Sequence, residues 1–545
     1  MSDESPDSPD SPEKSPEESP EEAENRKKEF ARIIELNYEL QTTASKMRNE
    51  GKERDEIKAE LLEIAPEYSD KDGMKLINDF IREAFSTKRK TPYHKTDLGF
   101  AERFTDTYQD DIRFVHAWDS WVIWDGVRWY RDGSGAIRLL VHDLTKEMCK
   151  QAAEYSNPDK RTAEFAFAIK CESNKALTAM LAHAKSMNAA SPEEFDRNEW
   201  LLNCPNGTID LRTRELYKAK REDMITQLCP TEYDPTAMWP TFARFLERII
   251  PDEEVRDFLQ RAAGYSITGR VTEHCLIFAH GPKGRNGKGT LMRMIMHVLG
   301  TDIAVEGTPN LLITKKNEPH PAEIADLRGK RFVSIQETDS GGRLAEGLVK
   351  RLTGGDILKA RLMGENWSQF EPTHHIWLAS NHEPVISEQD WAIWSRFRKV
   401  NFGQRIPDEE IDQALPDKLK AEAKGILNWM VDGCWIWQQE KLNPPKSVII
   451  ATDDYKKRSD VLAAFLADTC TLDPWEKEDA ARLFEAYKEW CKGSGERPKK
   501  KGEFTEKMAQ KGFSRKVIHG SNFWVGLNIG KIDDESAETE ELENG

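Results

Sequence analysis

The chain has no closely spaced cysteines. Its eight cysteines fall singly, no two within four residues of each other. That excludes a zinc ribbon or knuckle and fits free thiols in a reducing compartment. No apolar run approaches membrane-spanning length, and the acidic start is unlike a signal peptide. A soluble, cytoplasmic protein with no membrane partner is expected. Net charge is also scarce over most of the length. The formal charge is −17, but residues 1–25 carry −9 of it and residues 532–545 carry −7. The body is close to neutral, so the low overall isoelectric point does not exclude a nucleic-acid partner. A length of 545 residues leaves room for about three domains.

What the chain does have is a phosphate cradle. A strand-length apolar run, Cys275 to Ala279, leads into a loop with Gly281, Gly284, Asn286, Gly287, Lys288, Gly289 and Thr290, and then into a helical pattern from Leu291 to Leu299. Glycines let successive backbone N–H groups turn inward without a Cβ clash, and a helix start adds positive dipole character. Lys288 then places a cation near the outer phosphates of a nucleotide. Two features depart from the usual pattern. Five residues rather than four separate Gly281 from Gly287, and Gly289 stands where a Ser or Thr usually ligates Mg²⁺, with Thr290 one step on.

Taken in order, residues 1–25 repeat Ser-Pro among acids and are expected to be disordered. Residues 26–95 carry apolar residues at helical spacing and read as a helical module. Residues 96–235 read as a mixed α/β domain. Its aromatic patch around Trp118, Trp121, Trp124 and Trp129 reads as a small hairpin core, because aromatics fill cores far more often than they stack on bases. Residues 236–440 hold the cradle and what an NTPase needs after it. The run Arg331 to Glu337 is a strand ending in an acid, placed to hold Mg²⁺ and orient a water. Gln336 fills the place of a first acid, so Glu337 serves both tasks or Asp339 assists. Ile357 to Phe370 reads as a hairpin with Lys359 and Arg361 on one arm, suited to a DNA backbone. His375 to Asn381 is a buried strand ending in an amide. Arg396 and Arg398 follow a helix and suit transition-state charge on a phosphoryl group.

Residues 441–460 read as a linker with a charged helix. Residues 461–531 read as three helices and a two-stranded wing. From Lys488 to Lys516 there are ten bases and four acids, with Lys499, Lys500, Lys501, Arg515 and Lys516 as candidate phosphate contacts. Residues 532–545 read as a disordered acidic tail.

The ordered series GPKGRNGKGT, RFVSIQETD, KRLTGGDILKAR, IWLASN and AIWSRFRKVNF resembles superfamily 3 helicases of the phage and plasmid primase–helicase family, relatives of the poxvirus primase–helicase. The resemblance covers about residues 96–530. It implies a multidomain α/β protein: an AAA+-like P-loop ATPase core, helical and mixed N-terminal domains, and a C-terminal winged helix. It implies ATP and Mg²⁺ as cofactors, a homo-hexameric ring on single-stranded or forked DNA, and a bacterial host cell. By this resemblance Lys288 binds phosphate, Thr290 and Glu337 support Mg²⁺, and Glu337 polarises the lytic water. Asn381 senses the γ-phosphate, and Arg396, with Arg398 close by, reaches the next subunit's site. Residues 1–95 contain no strand-rich span with paired acids, so primer synthesis is expected from a separate primase or polymerase chain. Two other readings remain open here: an origin-melting DNA-dependent ATPase, and a non-motor replication adaptor that binds DNA through the winged helix.

Overall fold

The computed structural model describes residues 93–309, 311–314, 320–336, 342–362, 367–386, 391–496 and 498–530, together with parts of 36–78. Both acidic tails lie outside the described residues. The chain divides into two compact units. The first comprises Met1–Phe114 and Asp132–Ala189, the second Val115–Arg131 and Ala190–Gly545.

The first unit is mainly helical where described, with strand residues at 112–114 and 189. Helix α1 (Arg54–Ile64) sets Ile57 and Leu61 against Leu40, Ala44, Met47 and Ile77. Helix α2 (Asp97–Tyr108) starts where the Thr96 hydroxyl accepts the Gly99 N–H, and it buries Phe100 and Phe104 one turn apart. Helices α3 (Ala136–Ala153), α4 (Pro158–Cys171) and α5 (Asn174–Met187) follow. Asn157 and Ser173 cap the last two, with Pro158 at the first position of α4. Helix α5 packs on α2 and α4 on α3.

The second unit is built on a five-stranded parallel sheet. Its strands are β6 (Leu276–His280), β7 (Ala304–Gly307), β8 (Phe332–Gln336), β11 (His375–Ser380) and β12 (Phe397–Asn401). Their order is β12-β6-β11-β8-β7, all parallel. The strands are apolar nearly throughout because both faces are covered. Along β6, Ile277 and Ala279 enter one core cluster while Leu276 and Phe278 enter the other. In β11, Trp377 and Ala379 alternate with Ile376 and Leu378 in the same way. Helices α6 (Pro240–Ile249), α7 (Glu253–Tyr265), α8 (Lys288–Ile303) and α10 (Ala423–Glu440) contribute to the first cluster. Helix α9 (Glu346–Thr353) and helix α11 (Lys446–Arg458) contribute to the second through Val349, Leu352 and Tyr455.

Two expected boundaries fall elsewhere. The span 96–235 is shared between the units. Strands β1 (Ser120–Trp124) and β2 (Trp129–Arg131) and the sheet of β3 (Leu201–Cys204), β4 (Gly207–Asp210) and β5 (Glu215–Tyr217) belong with the parallel sheet. Hydrogen bonds explain why. Arg331 Nη2 donates to Leu201 O at 2.7 Å, Thr231 Oγ1 to Val298 O at 2.7 Å and Gln438 Nε2 to Leu211 O at 2.8 Å. Trp121 and Trp129 are buried, as a small hairpin core requires. The span 441–460 is no loose linker: α11 buries Val448 and Tyr455.

At the C-terminal end, α12 (Val461–Thr469), α13 (Ala480–Gly493) and α14 (Lys501–Gln510) enclose Phe465, Leu483, Tyr487, Phe504 and Trp524. The sheet beside them has three strands rather than two. Strand β13 (Lys477–Asp479) joins β14 (Ser514–Ile518) and β15 (Ser521–Val525) in the order β13-β15-β14.

Candidate functional site

In an open parallel sheet, ligands sit beyond the carboxyl ends of the strands, where the connections diverge. Strand β6 lies between β11 and β12, and the glycine-rich loop leaves its carboxyl end. Gly281 is required by crowding: a Cβ there would meet Asn286 Nδ2 at 2.0 Å, Phe402 O at 2.7 Å and Lys288 Nζ at 2.8 Å. Gly287 has φ +81°, and its Cβ would meet Ile249 Cγ2 at 2.4 Å. Gly284 is exposed with open space around it, and Gly289 faces only the Arg293 guanidinium, so neither is fixed sterically within the chain.

Helix α8 begins at Lys288, leaving its first N–H groups without intrahelical partners. Lys288 is buried, 6% exposed. Its ammonium donates to Gly281 O at 3.1 Å, Asn286 Oδ1 at 3.1 Å and Asn381 Oδ1 at 3.0 Å. Burial lowers its pKa to about 8. A phosphate approaching it would repay that desolvation. Lys288 and Asn381, on different elements, are thus brought together. Parallel pairing explains it: Ser380 is level with His280, so both strands end at the same edge. Asn286 is buried, and its amide donates to Lys283 O at 2.6 Å, which closes the loop on itself. Arg285, at φ +60°, forms an ion pair with Asp408, and Ile406 N–H donates to Arg285 O at 2.9 Å. No local signal marked Asp408 or Ile406 as loop anchors.

The donor set suits a nucleotide's phosphates by its chemistry, since a buried ammonium and the first N–H groups of α8 line this loop. Thr290 lies in the first turn of α8, where a hydroxyl can support a cation. Glu337 and Asp339 lie outside the described residues. Gln336 ends β8 level with Ala379 of β11, and its amide donates to Glu306 Oε1 at 2.9 Å.

Arg396 and Arg398 are not brought to Lys288. Leu276 N–H donates to Arg396 O at 2.7 Å, so Arg396 stands at the amino edge of the sheet. A five-residue strand, roughly 16 Å long, separates that edge from the loop. Arg396 Nε donates to Thr353 Oγ1 at 3.1 Å and Nη1 to Ala392 O. Arg398 Nη1 donates to Ser395 O at 2.6 Å and Phe397 O at 2.9 Å.

Strands β9 (Leu358–Ala360) and β10 (Ser368–Phe370) pair antiparallel. Lys359 Nζ and the Arg361 guanidinium lie 5.6 and 5.0 Å from the centre of the Trp367 ring, which is half exposed. Trp367 carries a flat apolar face between two cations, and its sequence signal, a tryptophan beside a turn, is weak. In the C-terminal module Lys500, Lys501 and Lys516 are exposed, and Arg515 lies 5.7 Å from the Trp524 ring. Lys499 is half-buried, and burial, aided by Lys507, lowers its pKa. Among the described residues no group of three or more His, Cys, Asp or Glu side chains converges on a metal position, and no helix is long and apolar enough to cross a membrane.

Comparison with known proteins adds to this geometry. A family described as D5 N-terminal-like matches residues 101–251, and a family of unknown function, DUF5906, matches residues 279–396. A candidate helicase of Acanthamoeba polyphaga mimivirus is 25% identical over 325 residues, 55% of this chain and 34% of the relative. A candidate primase of African swine fever virus is 24% identical over 330 residues, with the same coverage of 55% and 34%. The chain therefore spans about a third of the length of these relatives. A solved NrS-1 C-terminal region aligns over 80% of this chain and 100% of its own at 10% identity, with a TM-score of 0.43, a likeness too distant to carry an argument.

Proposed function

We propose that the chain is an ATP-dependent DNA helicase of replication that translocates on single-stranded DNA as a homo-hexameric ring, a reading that its similarity to a viral helicase and a viral primase supports. The observation that carries this reading is the Lys288–Asn381 pair at the carboxyl edge of the parallel sheet, inside a loop whose first glycine admits no side chain. A buried ammonium, helix-start N–H groups and a neutral amide suit a terminal phosphate and the water beside it.

When bound, Mg²⁺-ATP supplies the phosphoryl group whose transfer to water drives the motor. Lys288 holds the outer phosphates, Thr290 and Glu337 support the cation, and Glu337 takes the proton of the attacking water. Asn381 reports the state of the terminal phosphate. Arg396 supplies positive charge to a neighbouring subunit's site. Its position at the far edge of the sheet supports action in trans, since one chain cannot bring it to its own Lys288. Lys359, Arg361 and Trp367 on the β9–β10 hairpin engage single-stranded DNA, and the C-terminal module acts as a winged helix on forked DNA.

The test is ATPase turnover, with and without single-stranded DNA, of the wild type and Lys288→Ala. DNA-stimulated turnover that drops at least a hundredfold in the variant is expected. Equal turnover in both would overturn the reading.

A further inference from the structure

Strand β12 carries a lysine where the packing calls for an apolar residue. Lys399 is 3% exposed. Its neighbour Val400 belongs to one core cluster, and Phe397, two residues before Lys399, belongs to the other, so Lys399 points into the cluster that holds Tyr455. A buried ammonium needs a partner. Lys399 has Glu383, which forms an ion pair with it from the loop just beyond Asn381. The same carboxylate takes Arg458 Nη2 at 2.6 Å and Nε at 3.4 Å. Burial works to raise the Glu383 pKa, but the bonds from Arg458 and Lys399 outweigh it and hold the group below its ordinary value.

The same loop and the strand that carries Lys399 are each fastened to α11 at one more point. Tyr455 donates its hydroxyl hydrogen to Pro384 O, and the Lys399 N–H donates to Thr452 Oγ1 at 3.0 Å. Thr452, Tyr455 and Arg458 lie on successive turns of one face of α11. Asp460 follows two residues after Arg458. It caps α12 by accepting the Ala463 N–H at 3.0 Å, and it pairs with Lys511 Nζ at 2.6 Å, just past α14. Bonded groups therefore run without a break from Lys288 and Asn381, through the 381–384 loop, to the basic C-terminal module.

We propose that Glu383 is a positioning residue which, clasped between Lys399 and Arg458, ties Asn381 to α11 and so couples the state of the phosphate site to DNA binding by the C-terminal module. This rests on the nucleotide-site reading above and adds a route that reading does not contain. Physical continuity alone does not establish coupling, so the test measures it directly.

The full chain is titrated onto a fluorescent forked DNA, with and without Mg²⁺ and a non-hydrolysable ATP analogue. Labelled analogue binding is measured separately. In the wild type the analogue shifts the DNA dissociation constant at least tenfold. Arg458→Ala removes the outer arm of the clasp at a half-exposed position and spares the buried pair. It reduces the shift to threefold or less, while analogue affinity, DNA affinity without analogue and melting temperature stay near wild type. E383Q abolishes the shift, and Arg458→Lys restores part of it. A full shift in folded Arg458→Ala and E383Q overturns the proposal. A wild type that binds analogue but shows no shift overturns it too, and leaves the nucleotide site standing. A wild type that binds no analogue overturns both.

Discussion

The two edges of the parallel sheet treat their cations differently. At the carboxyl edge, Lys288 is buried and its ammonium is fully engaged by oxygens of its own chain, from Gly281, Asn286 and Asn381. At the amino edge, Arg396 and Arg398 rest on nearby carbonyls and the Thr353 hydroxyl, half-buried, with no carboxylate among their hydrogen-bond partners in the described residues. A site completed within one chain is prepaid: its groups are already aimed and desolvated. A group destined for a second molecule has to be held loosely, on local and exchangeable partners. The proposed ring makes this difference a division of labour.

The largest effect is expected from Arg396→Ala, which should lower DNA-stimulated ATPase roughly a thousandfold if its guanidinium stabilises transferred phosphoryl charge. The sharper experiment mixes that inactive variant with inactive Lys288→Ala. Mixed rings contain interfaces where an intact Lys288 faces an intact Arg396, so turnover should return to a measurable fraction of wild type. Recovery would not occur if the arginine served its own chain's site, and the contrast between the two edges would then mean nothing for catalysis.

At the carboxyl edge the predicted effect is smaller and depends on pH. Burial brings the Lys288 pKa down from its ordinary 10.5 to about 8. The ammonium is therefore charged below pH 8 and lost as pH rises through it. From pH 7 to 9 the charged fraction falls about tenfold, so the KM for ATP should rise by up to that factor. Stability should move the other way. Between pH 8 and 10.5 the unfolded chain holds a proton on Lys288 that the folded chain has released, so this group's contribution rises with pH. ATP affinity falling while the thermal midpoint holds or climbs is the expected signature. A KM flat across that range would show that Lys288 does not carry the phosphate.

Much of this edge was legible in the sequence, and the reason is local. Each central strand is a short apolar run, and the loop and its helix are contiguous. Asn381 lies 93 residues from Lys288 yet ends a strand of the same kind, and parallel pairing levels their ends. Long-range pairing was not legible. The order of strands, the clasp on Lys399 and the anchors of Arg285 depend on partners distant in the chain; Arg458 and Glu383 are 75 residues apart. The domain boundary at 235 failed for the same reason. The residues from 190 to 235 read as part of the mixed domain that begins at 96, but their hydrogen bonds run to Val298, Arg331 and Gln438. A buried lysine calls for a counterion, but neither the burial of Lys399 nor the identity of its partner was legible in the sequence.

The smallest effect is expected at the hairpin, and it extends the comparison to a third kind of cation. Lys359 and Arg361 are exposed and lie over the Trp367 ring. That arrangement keeps the ring oriented while leaving half of it to solvent. Stacking of one base on an aromatic face contributes about 1–3 kcal/mol, and a ring already half covered belongs at the low end. Trp367→Ala should therefore weaken oligo-dT binding about fivefold without changing the salt dependence, because no charge is removed. Lys359→Ala should instead reduce the slope of affinity against salt by about one counterion. If the tryptophan variant changed the salt slope, or the lysine variant left it alone, the hairpin would not be meeting DNA by a stacked base flanked by phosphates. Its cations would then be ordinary solvated charges, and the loose placement seen at the amino edge would lose its parallel here.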